Sequence, residues 1–468
     1  MYMEKIVQTI YDIVWSPALV VLLVCAGLYF TIRTRCVQLR RLPDMFRLLF
    51  GNLSSKKGSS GITSFEAFCI SLSGRVGTGN VVGVATAIAL GGPGAVFWMW
   101  LLAFMGASTA FVEATLAQKY KKLHGGQYRG GPFSYIEHSL GQKWLAVVFS
   151  IFCIIGYGAL LAAVQSNSVS SAFDNAFHID PVVTAVVVVV LLALVVIGGV
   201  KRIAKFASVV TPFMALGYIG ISLVIVAMNW RAVPDVLALI FKSAFGFGPV
   251  FGGMLGSAVS MGVKRGLFSN EAGQGGGAIV AASAEVEHPA QQGLAQAFSV
   301  YVDTLLVCTA TAMMILCSGN YNVFDKAGNA VAMNAPELGA NYVAYTQASI
   351  DSILNGVGGV FISIALAFFV FTTLVAYYLY AESSIFYLFK KNRGSRFKTV
   401  VIWVYRLLFF AMIIIGATLS ADYVWTLGDI GVGLTTWVNV IVLLIICPEA
   451  IKCLKEYEDS LKAKKGKA

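Results

Sequence analysis

The sequence predicts an all-α integral membrane protein with eleven transmembrane helices, and three observations predict it. Hydrophobic residues make up 58% of the 468 and charged residues only 12%, and the mean hydropathy of +0.77 lies outside the range of soluble domains. Apolar runs of about 20 residues, each sufficient to cross about 30 Å of hydrocarbon, occur eleven times. The runs are continuous rather than alternating, so they read as helices and not as barrel strands. In lipid a backbone has no other means of pairing its polar groups.

In chain order the runs lie near 11–32, 65–89, 92–118, 144–168, 181–200, 206–228, 251–283, 293–317, 353–380, 399–418 and 422–448. The first has no basic region ahead of it and no small-residue cleavage pattern after it, so it is expected to remain as a membrane helix. The loops 33–64, 119–143, 201–205 and 381–398 and the tail 449–468 hold 26 of the 34 Lys and Arg residues. The alternate segments hold only Lys5, Arg231, Lys242 and Lys326. The positive-inside rule then puts the basic loops and the C-terminus in the cytoplasm and the N-terminus outside. The net charge of +11 follows from this topology, and no nucleic-acid partner is needed to explain it. The eight cysteines form no CxxC pattern and read as small apolar residues. His124, His138, His178 and His288 are too scattered to suggest a metal cluster.

Two runs are interrupted in the same way: 65–89 by SGRVGTGN (Ser73 to Asn80) and 251–283 by SNEAGQGGGA (Ser269 to Ala278). Glycines and polar side chains at that density unwind a helix. With the first run set aside, these are the first and sixth of ten. That spacing predicts the five-plus-five inverted repeat of a secondary transporter, with its site where the broken helices meet. The chain then divides into 1–64 (an extra helix and a basic linker), 65–228 (first repeat), 229–418 (most of the second), 419–448 (tenth core helix) and 449–468 (basic tail). Glycine also serves close helix packing, but glycine mixed with Asn, Glu, Gln, Arg and Thr favours a binding site.

An unwound segment frees main-chain groups that cost several kcal/mol if left unpaired in hydrocarbon, and a ligand can pair them. The amides of Gly77, Thr78 and Gly79, at the start of a half-helix near Asn80, suit a carboxylate. Free carbonyls of Ser73 and Val76 suit a cation. Carbonyls near Ser269 to Ala272 suit an ammonium group, with little room above Gly273, Gly275 and Gly277. The implied ligand is a small zwitterion. Gln165 and Asn167 in one further run and Thr372 and Thr373 in another add polar groups. Threonines in membrane helices commonly bond back to their own carbonyls, yet beside a broken helix their hydroxyls can complete an oxygen cage. Arg75 and Glu271 stand one in each break. Either they approach each other and gate the cytoplasmic pathway, or each finds local partners. Glu113, Asp303, Glu382 and Arg406 read as structural partners or interfacial anchors.

At these residues the sequence resembles a known family. GGPGAVFWMWLLAFMG (Gly91 to Gly106) and RGLFSNEAGQG (Arg265 to Gly275) resemble two hallmarks of the alanine or glycine:cation symporters, also called sodium:alanine symporters, of the amino acid-polyamine-organocation superfamily. The similarity covers about 11 to 450. It implies a leucine-transporter-type fold of ten core helices, with discontinuous first and sixth core helices, plus one preceding helix. It implies sodium-coupled uptake of an amino acid, no organic cofactor and no enzymatic reaction. VGTGN (Val76 to Asn80) is similar to the broken first helix of sodium-coupled transporters of that fold. By that resemblance Gly77 and Gly79 hold the substrate carboxylate beside Thr78 and Asn80. Gln165, Asn167, Tyr377 and the segment Glu271, Ala272, Gly273, Gln274 and Gly275 surround the rest of the substrate. Ser73, Val76, Phe369, Thr372 and Thr373 form the sodium site. Two departures bear on specificity: Gly276 stands where the family pattern has Ser, and Tyr377 where it has Trp.

The expectation is therefore a plasma-membrane symporter, active as a monomer in the lipid bilayer, importing alanine first and otherwise glycine, serine or glutamine. Proton coupling is the alternative driving force. A channel using glycine carbonyls is disfavoured, because the two breaks form no symmetric ring. An enzyme is disfavoured because no nucleophile and base converge.

Overall fold

A computed structural model describes residues 2–51, 61–124, 126–247, 251–325, 327–390 and 395–465. Parts of the expected basic segments, 52–60, 391–394 and 466–468, lie outside the described residues. The helices are α1 Tyr2–Val14, α2 Pro17–Arg33, α3 Val37–Arg40, α4 Leu42–Phe50, α5 Ser64–Arg75, α6 Val84–Gly91 and α7 Ala95–Lys119. They continue with α8 Pro132–His138, α9 Lys143–Ile155, α10 Leu161–Phe177, α11 Pro181–Val196, α12 Gly199–Met228, α13 Val233–Ala244 and α14 Leu255–Asn270. The last are α15 Gly276–Ser283, α16 Pro289–Val300, α17 Thr309–Ser318, α18 Tyr342–Asp351, α19 Gly358–Leu388, α20 Ser395–Thr418 and α21 Ala421–Lys465. Two short antiparallel hairpins, Lys122–His124 with Gln127–Arg129 and Asn322–Phe324 with Ala330–Met333, sit between helices.

Among the described residues eight helices are long and apolar enough to cross a membrane. Three of the apolar runs are not among them, and each has a local reason. Two are split at the glycine-rich interruptions, and α11 is a single helix of 16 residues. Helix starts follow capping chemistry. Thr63 accepts from the Glu66 amide at 3.1 Å while Glu66 accepts from the Thr63 amide at 2.8 Å, a reciprocal box that starts α5. Asp180 accepts from the Val182 amide at 2.8 Å ahead of Pro181, starting α11. The last helix, α21, runs on without interruption to Lys465.

At the centre of the molecule α6, α14 and α15 pack against α7, and α5 and α15 pack against α16 and α19. Outward faces are apolar instead: Val187 and Leu194 on α11, Phe213 and Leu216 on α12, and Leu407 and Leu408 on α20 are exposed. A surface that apolar requires hydrocarbon or protein around it. Three helices contain π-helical turns, at Gly79–Gly83, Gly156–Leu160 and Tyr301–Cys308. Such wide turns recur at functional sites, and all three border the buried centre.

Candidate functional site

The first interruption begins where α5 stops at Arg75, with Val76 already extended at φ −75° and ψ 92°. The chain recovers helical form in the wide turn Gly79–Gly83. Between them the main-chain groups find side chains. The Gly77 amide donates to Asn80 Oδ1 at 2.9 Å and the Thr78 amide to Gln165 Oε1 at 3.1 Å. The carbonyls of Ser73 and Val76 both accept from Thr373 Oγ1, at 2.8 and 3.2 Å. Three oxygens from two helices thus converge beside the break. A Cβ on Gly77 would stand 2.7 Å from Thr373 Oγ1 and 2.9 Å from Gln165 Oε1, so a larger residue there displaces both groups from the break.

The second interruption turns on three left-handed residues, Glu271, Gly273 and Gly275, at φ 53°, 94° and 93°. For a non-glycine residue such as Glu271 this conformation costs about 1–2 kcal/mol, and strain of that kind clusters at functional sites. Gln274 spans the gap, donating to the Leu267 carbonyl at 2.6 Å and accepting from the Tyr157 hydroxyl at 3.3 Å. Asn439 Nδ2 donates to the Gly273 carbonyl at 2.9 Å and to Glu113 at 3.0 Å, while Tyr135 donates to Asn439 Oδ1 at 2.5 Å. The Glu271 carboxylate accepts from Tyr380 at 3.4 Å through one oxygen, and its other oxygen is buried without a partner.

Asp303 joins the two interruptions. Its Oδ1 accepts from Asn80 Nδ2 at 2.7 Å, and its Oδ2 accepts from Ser269 Oγ at 2.9 Å and from Thr304 Oγ1 at 2.7 Å. From the sequence Asp303 reads as a structural partner or interfacial anchor, and Asn439 and Tyr135 do not stand out. The signal for Asp303 was its charge in an apolar run, since an acid at that depth requires a specific partner. Asn439 and Tyr135 carried none, because each is an unremarkable polar residue until the fold brings it under Gly273. A second feature lies beside α14. Arg265 meets Asp429 at 2.5 Å with both side chains buried, and its guanidinium lies 4.7 Å from the Trp425 ring centre. Phe268 packs against Trp425 at 4.8 Å, so this side of the second interruption is covered by an ion pair and two aromatic rings.

Several expected residues do not meet the others. Asn167 donates to the carbonyls of Gly416 and Leu419, at 3.0 and 2.8 Å, and so ties α10 to α20. Two positions apart on a helix face nearly opposite ways, and Gln165 faces the break. Thr372 donates to the Phe369 carbonyl of its own helix at 3.1 Å and lies 3.5 Å from Met214 Sδ, leaving Thr373 alone at Ser73 and Val76. Arg75 and Glu271 form no ion pair within 4 Å. Arg75 Nη1 instead donates to the Gln296 carbonyl at 3.1 Å and to Ser299 Oγ on α16. Its Nη2 occupies the space beside Gly277. Tyr377 approaches both Gln165 and Glu271. A Cβ on Gly276 would stand 2.5 Å from Tyr380 Cε2 and 2.8 Å from the Tyr157 hydroxyl, so two tyrosines fill the room that a larger residue there would need. Glu382 and Arg406 both hold the Tyr378 hydroxyl, at 2.8 and 2.9 Å, away from the breaks.

Interrupted helices buried at the centre of membrane-length helices, with main-chain groups and acids turned toward one another, define a multi-pass membrane transporter rather than an enzyme. The chain belongs to the sodium:alanine symporter family, whose model matches residues 1–468. It is 49% identical to the putative sodium/proton-dependent alanine carrier protein YrbD of Bacillus subtilis (strain 168), over 97% of this chain and 93% of that protein. It is 41% identical to the probable sodium/glutamine symporter GlnT of the same organism, over 99% of this chain and 92% of that protein. Among solved structures, a Na+-coupled sialic acid symporter in a substrate-bound outward-open state is similar, with a TM-score of 0.52 and 12% identity over 87% of this chain and 81% of that one. That likeness concerns the fold alone.

Proposed function

We propose that the chain is a sodium-coupled symporter importing a small neutral amino acid across the cell membrane by alternating access, with alanine the first substrate and glycine, serine or glutamine next. The arrangement is a leucine-transporter-type five-plus-five repeat preceded by one helix, divided at 65–228, 229–418 and 419–448. The N-terminus lies outside, the C-terminus in the cytoplasm, and one chain is the working unit. The family and the alanine-carrier relative support the substrate, and the glutamine-symporter relative keeps the range open.

The observation that carries the reading is the meeting of the Ser73 and Val76 carbonyls with the Thr373 hydroxyl beside the Gly77 and Thr78 amides. The oxygens suit a hard cation. The amides suit a carboxylate. In this proposal the substrate carboxylate takes the place of Gln165 Oε1 at the Thr78 amide, and Gln165 and Tyr377 turn to the amino acid. The ammonium lies toward Glu271 and the carbonyls of the second break. Phe369 and Thr372 sit at the edge of the cation site rather than within it. Labelled alanine uptake by proteoliposomes tests the reading: sodium drives accumulation, glycine, serine and glutamine compete in graded fashion, and uptake unchanged when choline replaces sodium refutes sodium coupling.

A second reading, proton coupling, gains from Asp303, which holds Asn80 of one break and Ser269 of the other. An inward proton gradient without sodium then drives alanine accumulation, and Asp303→Asn abolishes it.

A further inference from the structure

A cavity of about 550 Å³ lies apart from the two breaks, between the Lys122–Arg129 hairpin, α8, and the ends of α19 and α20. Its lining includes Lys122, Arg129, Lys390 and Lys398, with Glu137 as its one acid. Glu137 is already paired with Lys390. No acid lies within ion-pair distance of Lys122, Arg129 or Lys398 among the described residues, and Glu382 attracts Arg129 only from farther off. Arg129 is held by stacking on Phe386, 3.9 Å from the ring centre, yet its Nη1 is buried and without a hydrogen-bond partner. Buried guanidinium nitrogens are ordinarily satisfied, and a cluster of cations around one that is not describes a receptor for an anion.

The walls also say what kind of anion. Phe386 and Lys398 are shared with a small apolar crevice lined by Ile385, Phe389, Val401 and Ile402, and Val400 and Val404 on the same helix α20 are exposed. A basic chamber on a helix with an exposed apolar face matches an amphiphile with an anionic head and a hydrocarbon tail. Basic pockets between helices at a membrane surface bind acidic lipid headgroups by this chemistry, and an Arg fork suits a phosphate oxygen pair.

We propose that this cavity binds a phosphate-bearing anion, delivered as the headgroup of an anionic phospholipid. The phosphate takes hydrogen bonds from Arg129 and charge from Lys122 and Lys398. The site is joined to the second break by α8. Phe133 stacks on Tyr387 at 4.8 Å, and Pro132 lies where a Cβ on Gly275 would reach it at 2.5 Å. A filled cavity therefore braces the helix that packs under Gly275.

The test uses the full-length protein in three settings: phosphatidylcholine nanodiscs, the same with a fifth of the lipid as phosphatidylglycerol, and phosphatidylcholine with millimolar glycerol phosphate. Native mass spectrometry reads retained lipid, and thermal unfolding reads stabilisation. Phosphatidylglycerol is retained about tenfold over phosphatidylcholine. Arg129→Gln with Lys398→Gln removes that preference, whereas exposed Lys462→Gln leaves it. Arg129→Lys, which keeps the charge, retains part of it and shows that the fold tolerates change there. Equal retention in wild type and the double variant overturns the proposal. Stabilisation by glycerol phosphate equal to that by phosphatidylglycerol overturns the lipid assignment in favour of a free phosphate compound.

Discussion

Thr373→Val separates a cation ligand from a helix tie. Valine keeps the size and branching of threonine and removes one oxygen, the one that stands 2.8 Å from the Ser73 carbonyl and 3.2 Å from that of Val76. If the hydroxyl serves only to pair those carbonyls, its loss leaves two buried acceptors unsatisfied in the cation-free protein. An incoming cation then relieves that cost of about 1–3 kcal/mol, and sodium affinity rises. If the hydroxyl is itself a ligand, the bound state loses a charge–dipole contact of about 1.5–3 kcal/mol. The two terms oppose each other, and the ligand term prevails where the hydroxyl oxygen faces the ion. The proposed function requires the second case. Sodium half-saturation of alanine uptake should then rise about tenfold, a net 1.4 kcal/mol. Linkage requires the apparent alanine affinity at low sodium to fall by the same factor and to recover at saturating sodium. Thr373→Ser should stay near wild type. Thr372→Val should shift sodium half-saturation by less than about twofold, since its hydroxyl is spent within its own helix. The assay is initial-rate uptake in proteoliposomes across a sodium titration. A Thr373→Val protein whose half-saturation is unchanged or lower refutes the cation site.

Gly276→Ala forces its new methyl to within 2.5 Å of Tyr380, an overpacking cost of about 1–3 kcal/mol, and the melting temperature falls. Asn167→Ala removes two hydrogen bonds to α20, so it lowers stability by about 1–2 kcal/mol while the alanine KM stays within about twofold. Arg265→Gln leaves Asp429 as an uncompensated buried charge at a cost of about 3–5 kcal/mol, and adding Asp429→Asn restores most of the melting temperature. Burial pushes the Lys121 ammonium down to about 8, below the unfolded value of about 10.4. Between those values the unfolded chain holds a proton that the folded chain has shed, so stability rises with pH from about 8 to about 10. Lys121→Met flattens that rise, as thermal unfolding at stepped pH will show.

What could be read from the sequence was what periodicity and composition encode locally. Eleven apolar runs stand out because each helix must satisfy the bilayer by itself. The interruptions at Ser73 to Asn80 and Ser269 to Ala278 are legible because glycine density acts on the residues that carry it. Pairings across the bundle are not encoded that way. Thr372 and Thr373 are equivalent in sequence, and only the rotation of α19 against α5 decides which hydroxyl meets Ser73. Asn167 reads as a site residue although its amide is bonded to α20, and Arg265 with Asp429 are 164 residues apart. Asp303 was visible as an expensive charge, but nothing local shows that it faces Asn80 and Ser269 together.

The peptide unit between Val76 and Gly77 gives the proposed coupling a mechanical form. Its carbonyl is one of the two that meet Thr373, and its N–H is the one that donates to Asn80 Oδ1 at 2.9 Å. A peptide group is planar, and the barrier to rotation about its C–N bond is about 18–20 kcal/mol. The carbonyl and the amide therefore turn as one body: a cation that draws the Val76 oxygen toward α19 also sets the direction of the Gly77 N–H on the opposite side. Asn80, which receives that N–H, is in turn held by Asp303, and Asp303 holds Ser269 at the head of the second break. The cation thus acts on one end of a rigid plate whose setting passes through Asn80 and Asp303 to the other broken helix, while the proposed carboxylate takes the next amide along, that of Thr78. Coupling between such sites is commonly about 1–3 kcal/mol. Asn80→Asp tests the chain of contacts, because it sets a second carboxylate against Asp303 while the Thr373 contacts stay intact. Sodium binding should persist, but its effect on alanine affinity should fall toward onefold; a variant that keeps the full mutual enhancement shows that the coupling runs by another route.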